Sequence, residues 1–192
     1  MVLLKCRSAN MPRDNIDRAI KKGIGGGDAV SFEELTYEIY GPQGVALLVE
    51  LTTDNRNRTS AEIRSLVTKN SGTIAAAGSV SRLFHRKGQM IVGREGVNED
   101  QLMEIALEAG AEDFKADPLG YEILTDPAQF EAVHKQLEAR GVKCEVAEIT
   151  ELPTVTVPLT RPETAASVNR LIEALEEHDD VKEVYSNAEF PE

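Results

Sequence analysis

The chain has 192 residues, 41% of them hydrophobic, 28% charged and 5% aromatic, with no tryptophan; this excludes collagen, coiled-coil arrays and low-complexity disorder and leaves one or two soluble domains. Its 21 Lys and Arg face 33 Asp and Glu, a net charge of −12, which taken alone argues against a polyanionic partner. No apolar run approaches the roughly 18 residues of a membrane helix, and Met1-Val-Leu-Leu-Lys-Cys-Arg is too short and lacks a small-residue cleavage site for a signal peptide, so no membrane partner is expected.

Met11 to Gly23 reads as a short helix, with Pro12 near its start, Ile16, Ala19 and Ile20 on one face and Lys21 and Lys22 in the last turn. Gly23 to Gly27 with Asp28 reads as a loop. Leu35 to Tyr40 and Val45 to Leu51 have strand character around the turn Gly41-Pro-Gln-Gly, which predicts a hairpin. Thr59 and Glu62 suggest a capping box for a helix bearing Ile63, Leu66 and Val67. Ser79 to Phe84 and Gln89 to Gly93, flanking His85-Arg-Lys-Gly, predict a second hairpin.

Asn98 caps a helix with Leu102, Ile105, Ala106 and Ala109 inward and Gly110 as terminator. Strands are expected at Asp113 to Ala116 and Tyr121 to Leu124, then a helix opened by Asp126-Pro127 with Phe130, Val133 and Leu137 inward, then a strand from Lys143 to Ile149. The prolines in Glu151 to Pro158 confine that stretch to a linker or an edge. Thr160 and Glu163 suggest another capping box for a helix with Ala165, Val168, Leu171, Ile172 and Leu175, and Val181 to Tyr185 reads as a final strand. The predicted fold class is α+β: a helical N-terminal remnant (1–30), a split two-layer α+β domain (31–95 plus 156–192) and a second, acidic α+β domain inserted at 96–155.

Charge is divided unevenly. Residues 1–95 carry a net +4 and residues 96–192 a net −16, while Asn55 to Arg94 alone carries +7. Because the Debye length is about 8 Å at physiological salt, a distant acidic lobe does not cancel a basic face, so nucleic acid remains open as a partner. Thr53-Asp-Asn-Arg-Asn-Arg-Thr places two arginines and two asparagines before a helix, donors suited to phosphate. Arg64, Arg82, Arg86 and Lys87 add charge. Phe84 is the one aromatic nearby, which predicts contact with backbone and shape rather than with unpaired bases. The expectation fails if these guanidinium groups are scattered or neutralised by carboxylates.

Catalytic chemistry finds no pattern. His85, His134 and His178 have no zinc spacing, and there is no Walker A sequence and no Gly-x-Ser-x-Gly elbow. The acids Glu173, Glu176, Glu177, Asp179 and Asp180 read as a solvated helix face. Cys6 and Cys144 are separate inert thiols suited to a reducing compartment. No catalytic residue, metal or cofactor is expected, and the enzyme reading is the minority one.

The chain resembles the YebC/PmpR family through Ala9-Asn-Met-Pro-Arg-Asp-Asn-Ile-Asp-Arg-Ala-Ile-Lys-Lys-Gly, Tyr40-Gly-Pro-Gln-Gly-Val, Thr53-Asp-Asn-Arg-Asn-Arg-Thr, Gly78-Ser-Val-Ser-Arg-Leu-Phe, Glu108-Ala-Gly-Ala-Glu-Asp and Val181-Lys-Glu-Val-Tyr-Ser-Asn. The resemblance implies a helical first domain followed by two α+β domains, no catalytic residues, and a regulator of gene expression that binds DNA or associates with the ribosome, as mitochondrial relatives that activate translation do. Family members usually begin with a longer basic helical segment, so the chain is expected to start inside that domain. The expected nucleic-acid contacts are Asn55, Arg56, Asn57, Arg58, Arg64, Arg82, Arg86 and Lys87, with Lys21 and Lys22 from the first helix. A cytoplasmic monomer is expected, in the mitochondrial matrix if the source is eukaryotic, with DNA or ribosomal RNA on the basic domain and a protein partner for the acidic one. A pure interaction scaffold is the reading from a different class.

Overall fold

A computed structural model describes residues 11–23 and 32–191. Helix α1 (Arg13–Gly23) starts where the Pro12 carbonyl accepts from the Asn15 and Ile16 amides. Cys6 and the expected glycine loop after Gly23 lie outside the described residues. Strands β1 (Glu33–Tyr40) and β2 (Ala46–Thr53) form the predicted antiparallel hairpin, Tyr40 opposite Ala46. Its turn contains a short 3-10 segment at Pro42–Gly44, where Gln43 and Gly44 both take positive φ.

Helix α2 (Arg56–Lys69) and the two-residue β3 (Thr73–Ile74) follow. A 3-10 turn at Ser81–Leu83 leads into β4 (Phe84–Gly93), one unbroken strand where a second hairpin was expected. The correction has a steric cause. A Cβ on Gly88 would stand 2.3 Å from Thr125 Oγ1 and 2.6 Å from Phe130 Cδ2, so this glycine lets a helix approach the strand and does not make a turn. Helix α3 (Glu99–Ala109) is capped by Asn98 and ended by Gly110 in the left-handed region, as its sequence predicts. Then come β5 (Asp113–Ala116), β6 (Gly120–Thr125), α4 (Phe130–Ala139) and β7 (Val146–Pro153). The chain closes with β8 (Val157–Pro158), α5 (Pro162–Glu176), β9 (Val181–Ser186) and β10 (Ala188–Glu189). Arg161, not Thr160, occupies the N-cap of α5, and no side chain caps that helix; Pro162, which has no N–H to satisfy, starts it instead.

The fold is α+β with two antiparallel sheets, ordered β3-β1-β2-β9 and β5-β6-β4-β7. The second runs β-α-β-β-α-β in the ferredoxin-like order. Because β4 pairs with β6 and β7, Arg86 and Lys87 belong to the second sheet rather than to the first. Strand β7 is an edge, which is where Pro153 can be accommodated.

Each sheet buries one face under two helices. Ile39, Leu47, Val49 and Leu51 pack against Ile63 and Val67 of α2 and Val168, Leu171 and Leu175 of α5. Met90, Val92, Tyr121 and Ile123 pack against Leu102 and Ala106 of α3 and Phe130, Val133 and Leu137 of α4. A smaller cluster of Ala46, Leu48, Val80 and Phe84 seams the two units together. The seam is pinned by Glu38, whose carboxylate accepts from the amides of Gly78, Val80 and Ser81 at 2.6, 2.6 and 2.9 Å. Burial works against that charge, but the three amides outweigh it and hold the carboxyl below its ordinary value. Glu38→Gln is therefore expected to cost about 1–2 kcal/mol, read as a lowered midpoint in thermal unfolding.

Asn187 is buried nearby: its Oδ1 accepts from the Ala46 amide at 2.7 Å and its Nδ2 donates to the Val155 carbonyl at 3.1 Å, tying the end of the chain to β2. Cys144 is half-buried, and burial, followed by the Glu138 charge, pushes its thiol up to about 11, leaving it protonated at neutral pH. Among the described residues, no helix is long and apolar enough to cross a membrane.

Candidate nucleic-acid interface

Asn55, not Thr59, caps α2: its Oδ1 accepts from the Arg58 amide at 3.2 Å while its own amide donates to Thr53 Oγ1 at 2.9 Å. Arg56, Asn57 and Arg58 thus form the first helical turn rather than a loop. Thr59 is fully buried inside the helix, its hydroxyl 2.7 Å from that of Thr53 and hydrogen-bonded to Asp180 in the segment between α5 and β9. A hydroxyl has one proton to give. Assigning the Thr53 proton to Thr59 and the Thr59 proton to Asp180 gives a relay that carries the Asn55 amide's polarity to a carboxylate distant in sequence.

Arg58 completes this knot. Its Nη2 reaches both Asp180 oxygens at 3.2 and 3.0 Å and Asp54 Oδ1 at 3.0 Å, and its Nε lies 3.9 Å from Glu62. Asp180 raises the Arg58 guanidinium, and in turn the Thr59 hydroxyl, with help from Arg58 and against burial, holds Asp180 below its ordinary value. Arg58 is thus neutralised by carboxylates.

His178 sits on the same cluster. Its Nδ1 accepts from the Asp180 amide at 3.1 Å, so in the neutral ring Nε2 carries the proton and donates to Glu62 at 3.1 Å. Glu62, His178 and Asp180 bring ligand atoms within 4.8 Å of one another, a spacing that could hold a metal ion. The ring nitrogen facing the carboxylates is the protonated one, however, and the Arg58 cation already fills the place between them. The donor set fits a guanidinium better than a metal. Asp180 is accordingly an anchor and not part of a solvated acidic face.

The other expected contacts divide into two groups. The Arg56 side chain is 68% exposed, and its one ionic partner among the described residues is Glu33, at 4.0 Å. Asn57 is exposed beside it, and Arg64 and Lys69 are exposed further along α2, with no carboxylate within 4 Å among the described residues. The remainder lie elsewhere. Arg82 donates from Nε to the Ser79 carbonyl at 3.3 Å. Arg86 and Lys87 point to opposite faces of β4: Arg86 stands opposite Glu151, whose carboxyl is raised by burial and drawn back down by that cation, while Lys87 is paired with Glu112. Lys21 and Lys22 lie in the last turn of α1. The structure thus gathers Asn55, Arg56, Asn57, Arg58 and Arg64 along one helix and places Arg82, Arg86 and Lys87 elsewhere, so the single basic face expected from the sequence is not formed: Arg58 and Lys87 are paired with carboxylates and the remaining cations are divided between the two sheet units. Phe84, the expected aromatic, is 5% exposed in the seam and offers no ring surface.

Sequence reasoning missed Asp180, Thr53, Thr59 and His178 as parts of this site. The available signal is the His178-Asp-Asp180 run just before β9, which local periodicity cannot connect to the start of α2.

Residues 32–188 match the profile of the TACO1/YebC second and third domain. A "Probable transcriptional regulatory protein" of Leptospira biflexa is 46% identical over 192 residues, covering all of this chain and 78% of that protein. Proteins of the same name from Clostridium tetani and Opitutus terrae are 47% and 48% identical, with 78% and 77% of their lengths covered. The crystal structure of a conserved hypothetical protein from Aquifex aeolicus superposes with a TM-score of 0.83 at 48% identity, over 97% of this chain and 77% of that one.

Proposed function

The chain belongs to the TACO1/YebC family, and from that membership we propose that it is a non-enzymatic regulator of gene expression that binds nucleic acid through the exposed cations of α2. The supporting observation is Arg56. It stands at the first position of a fourteen-residue helix, where the helix dipole favours anions, and among the described residues its one ionic partner is a solvent-exposed glutamate at 4.0 Å. Such a surface pair contributes little and yields readily to phosphate. Arg64 and Lys69 extend the cationic surface, whereas Arg58 serves the fold. The acidic helices α3 and α4 face away from the polyanion in this reading, toward solvent or a protein partner, and the setting is the cytoplasm or an organelle matrix.

Salt titration of duplex DNA binding tests the assignment. Replacing Arg56 and Arg64 together with Ala is expected to reduce the slope of log affinity against log salt by about 0.9 for each phosphate no longer neutralised. Arg58→Ala is expected to lower the melting temperature and leave that slope unchanged. A slope unaffected by the double substitution sinks the reading. Ribosomal RNA is the second target, favoured by the strand-flanked placement of α3 and α4, which supplies no helix-turn-helix pair for the major groove among the described residues. Titration of ribosomal RNA fragments at matched salt separates the two.

A further inference from the structure

Helix α3 is apolar on two sides. Leu102, Ala106 and Ala109 are buried against the second sheet with Ile105 beside them, and one such stripe is all that a helix lying on a sheet needs. Met103 and Leu107 lie outside that stripe, one turn apart, and are 39% and 52% exposed. They continue a row begun by Glu99, and beside it runs a second exposed row, Asp100, Glu104 and Glu108, again at spacings of four. Like charges at that spacing repel, and Glu108 stands in the last turn, where the helix dipole also disfavours an anion. Arg140 relieves Glu108, donating to its Oε2 at 3.2 Å, but α3 itself carries no Lys or Arg. Among the described residues, Glu99, Asp100 and Glu104 have no Lys or Arg nitrogen within 4 Å.

An apolar row beside an unrelieved acidic one is the complement of a helix with apolar residues at matching spacing and Lys or Arg along one flank. We propose that this side of α3 docks such a basic amphipathic helix of a partner protein, its apolar residues on Met103 and Leu107 and its cations on Asp100 and Glu104. The flexible thioether of Met103 suits a surface that receives another chain's side chains. Nucleic acid is repelled by these acids, and a second copy would set acid against acid. The inserted segment 96–155, with 14 Asp and Glu against 4 Lys and Arg, adds the same preference at longer range. The inference goes beyond the nucleic-acid reading above and uses no residue of α2, so either can fail alone.

The test titrates the intact chain with a fluorescein-labelled eighteen-residue peptide of Leu and Lys, patterned so that the leucines form one helical face, and with a scrambled peptide of the same composition. The patterned peptide is expected to bind roughly tenfold or more tighter than the scrambled one. Met103→Ala combined with Leu107→Ala is expected to weaken that binding by roughly ten- to a hundredfold, the loss of two side chains covered on docking, with the melting temperature unchanged because alanine keeps the helix. Glu104→Lys is expected to weaken it by roughly tenfold while raising the melting temperature by about 1–4 °C, since it turns two repulsive pairs on α3 into attractive ones. A merely structural role for these side chains would not move binding and stability in opposite directions. Equal affinity for the two peptides, or unchanged affinity in the Met103 and Leu107 double variant, overturns the inference. So does a wild-type dimer in sedimentation that the double variant lacks, which would assign this face to a second copy. The duplex salt slope of the Arg56 and Arg64 variant reports on the nucleic-acid reading alone, which keeps the two failures distinct.

Discussion

Replacing Leu171 with Ala is expected to lower stability by about 2–5 kcal/mol, toward the upper end of that range. The side chain is fully buried between α5 and the first sheet, where it meets Ile63 and Val67 of α2 in a single cluster. How much such a substitution costs depends on whether neighbours can collapse into the void. Here two of the surrounding backbone positions are glycines: a Cβ on Gly41 would lie 3.3 Å from Leu171 Cδ2, and one on Gly72 would lie 3.1 Å from it. The strand turn and the end of α2 have already closed to backbone contact and carry no side chain that could swing inward. Urea unfolding should show a lower midpoint with an unchanged slope, and a melting point reduced by about 4–20 °C. A loss below 1 kcal/mol would mean that the helix shifts freely over the sheet, contrary to the packing seen.

Asp180→Ala is expected to cost about 1–3 kcal/mol at neutral pH, because the carboxylate accepts from the buried Thr59 hydroxyl and from Arg58 together. The pH dependence gives the sharper signature. Asp180 is held below its ordinary value, chiefly by Thr59 and then, against burial, by Arg58. A carboxyl depressed in the folded state contributes stability above its unfolded value of about 3.9, and loses it as the pH falls through the folded value. Wild-type stability should thus decline from about pH 4 downward, and the Asp180→Ala profile should be flatter over that acid range. Parallel acid profiles for the two proteins would show that the carboxylate is not stabilised by the knot. Nucleic-acid affinity at neutral pH should differ little between them.

Much of the fold was legible because its determinants are local. The β1–β2 hairpin follows from alternating strand residues around Gly41-Pro-Gln-Gly, α3 from Asn98 and Gly110, and α4 from the inward set Phe130, Val133 and Leu137. Failures arose where a residue type has two physical uses. Gly88 looked like turn chemistry beside His85-Arg-Lys, yet its missing side chain serves close contact with Phe130. Thr59 looked like a helix cap, yet it is a buried relay between Thr53 and Asp180. The candidate site was readable as a cluster of Asn55, Arg56, Asn57 and Arg58 ahead of a helix, but not as that helix's N-cap and first turn. Which guanidinium is free depends on Asp180, and that pairing depends on the closing β9 of the first sheet.

The insertion of β4 through β7 between the two halves of the first sheet bears on the order of synthesis. On the ribosome, the second sheet and its helices emerge as one continuous stretch and can collapse without delay, since domains generally fold as units during translation. The first sheet must wait. Until β9 arrives, one long edge of β2 has no partner, the inner face of the hairpin lacks α5, and Arg58 has no Asp180 to hold it. A chain released early would carry an apolar, strand-shaped edge beside a mobile cation, so premature termination leaves a species prone to aggregation rather than a smaller working protein.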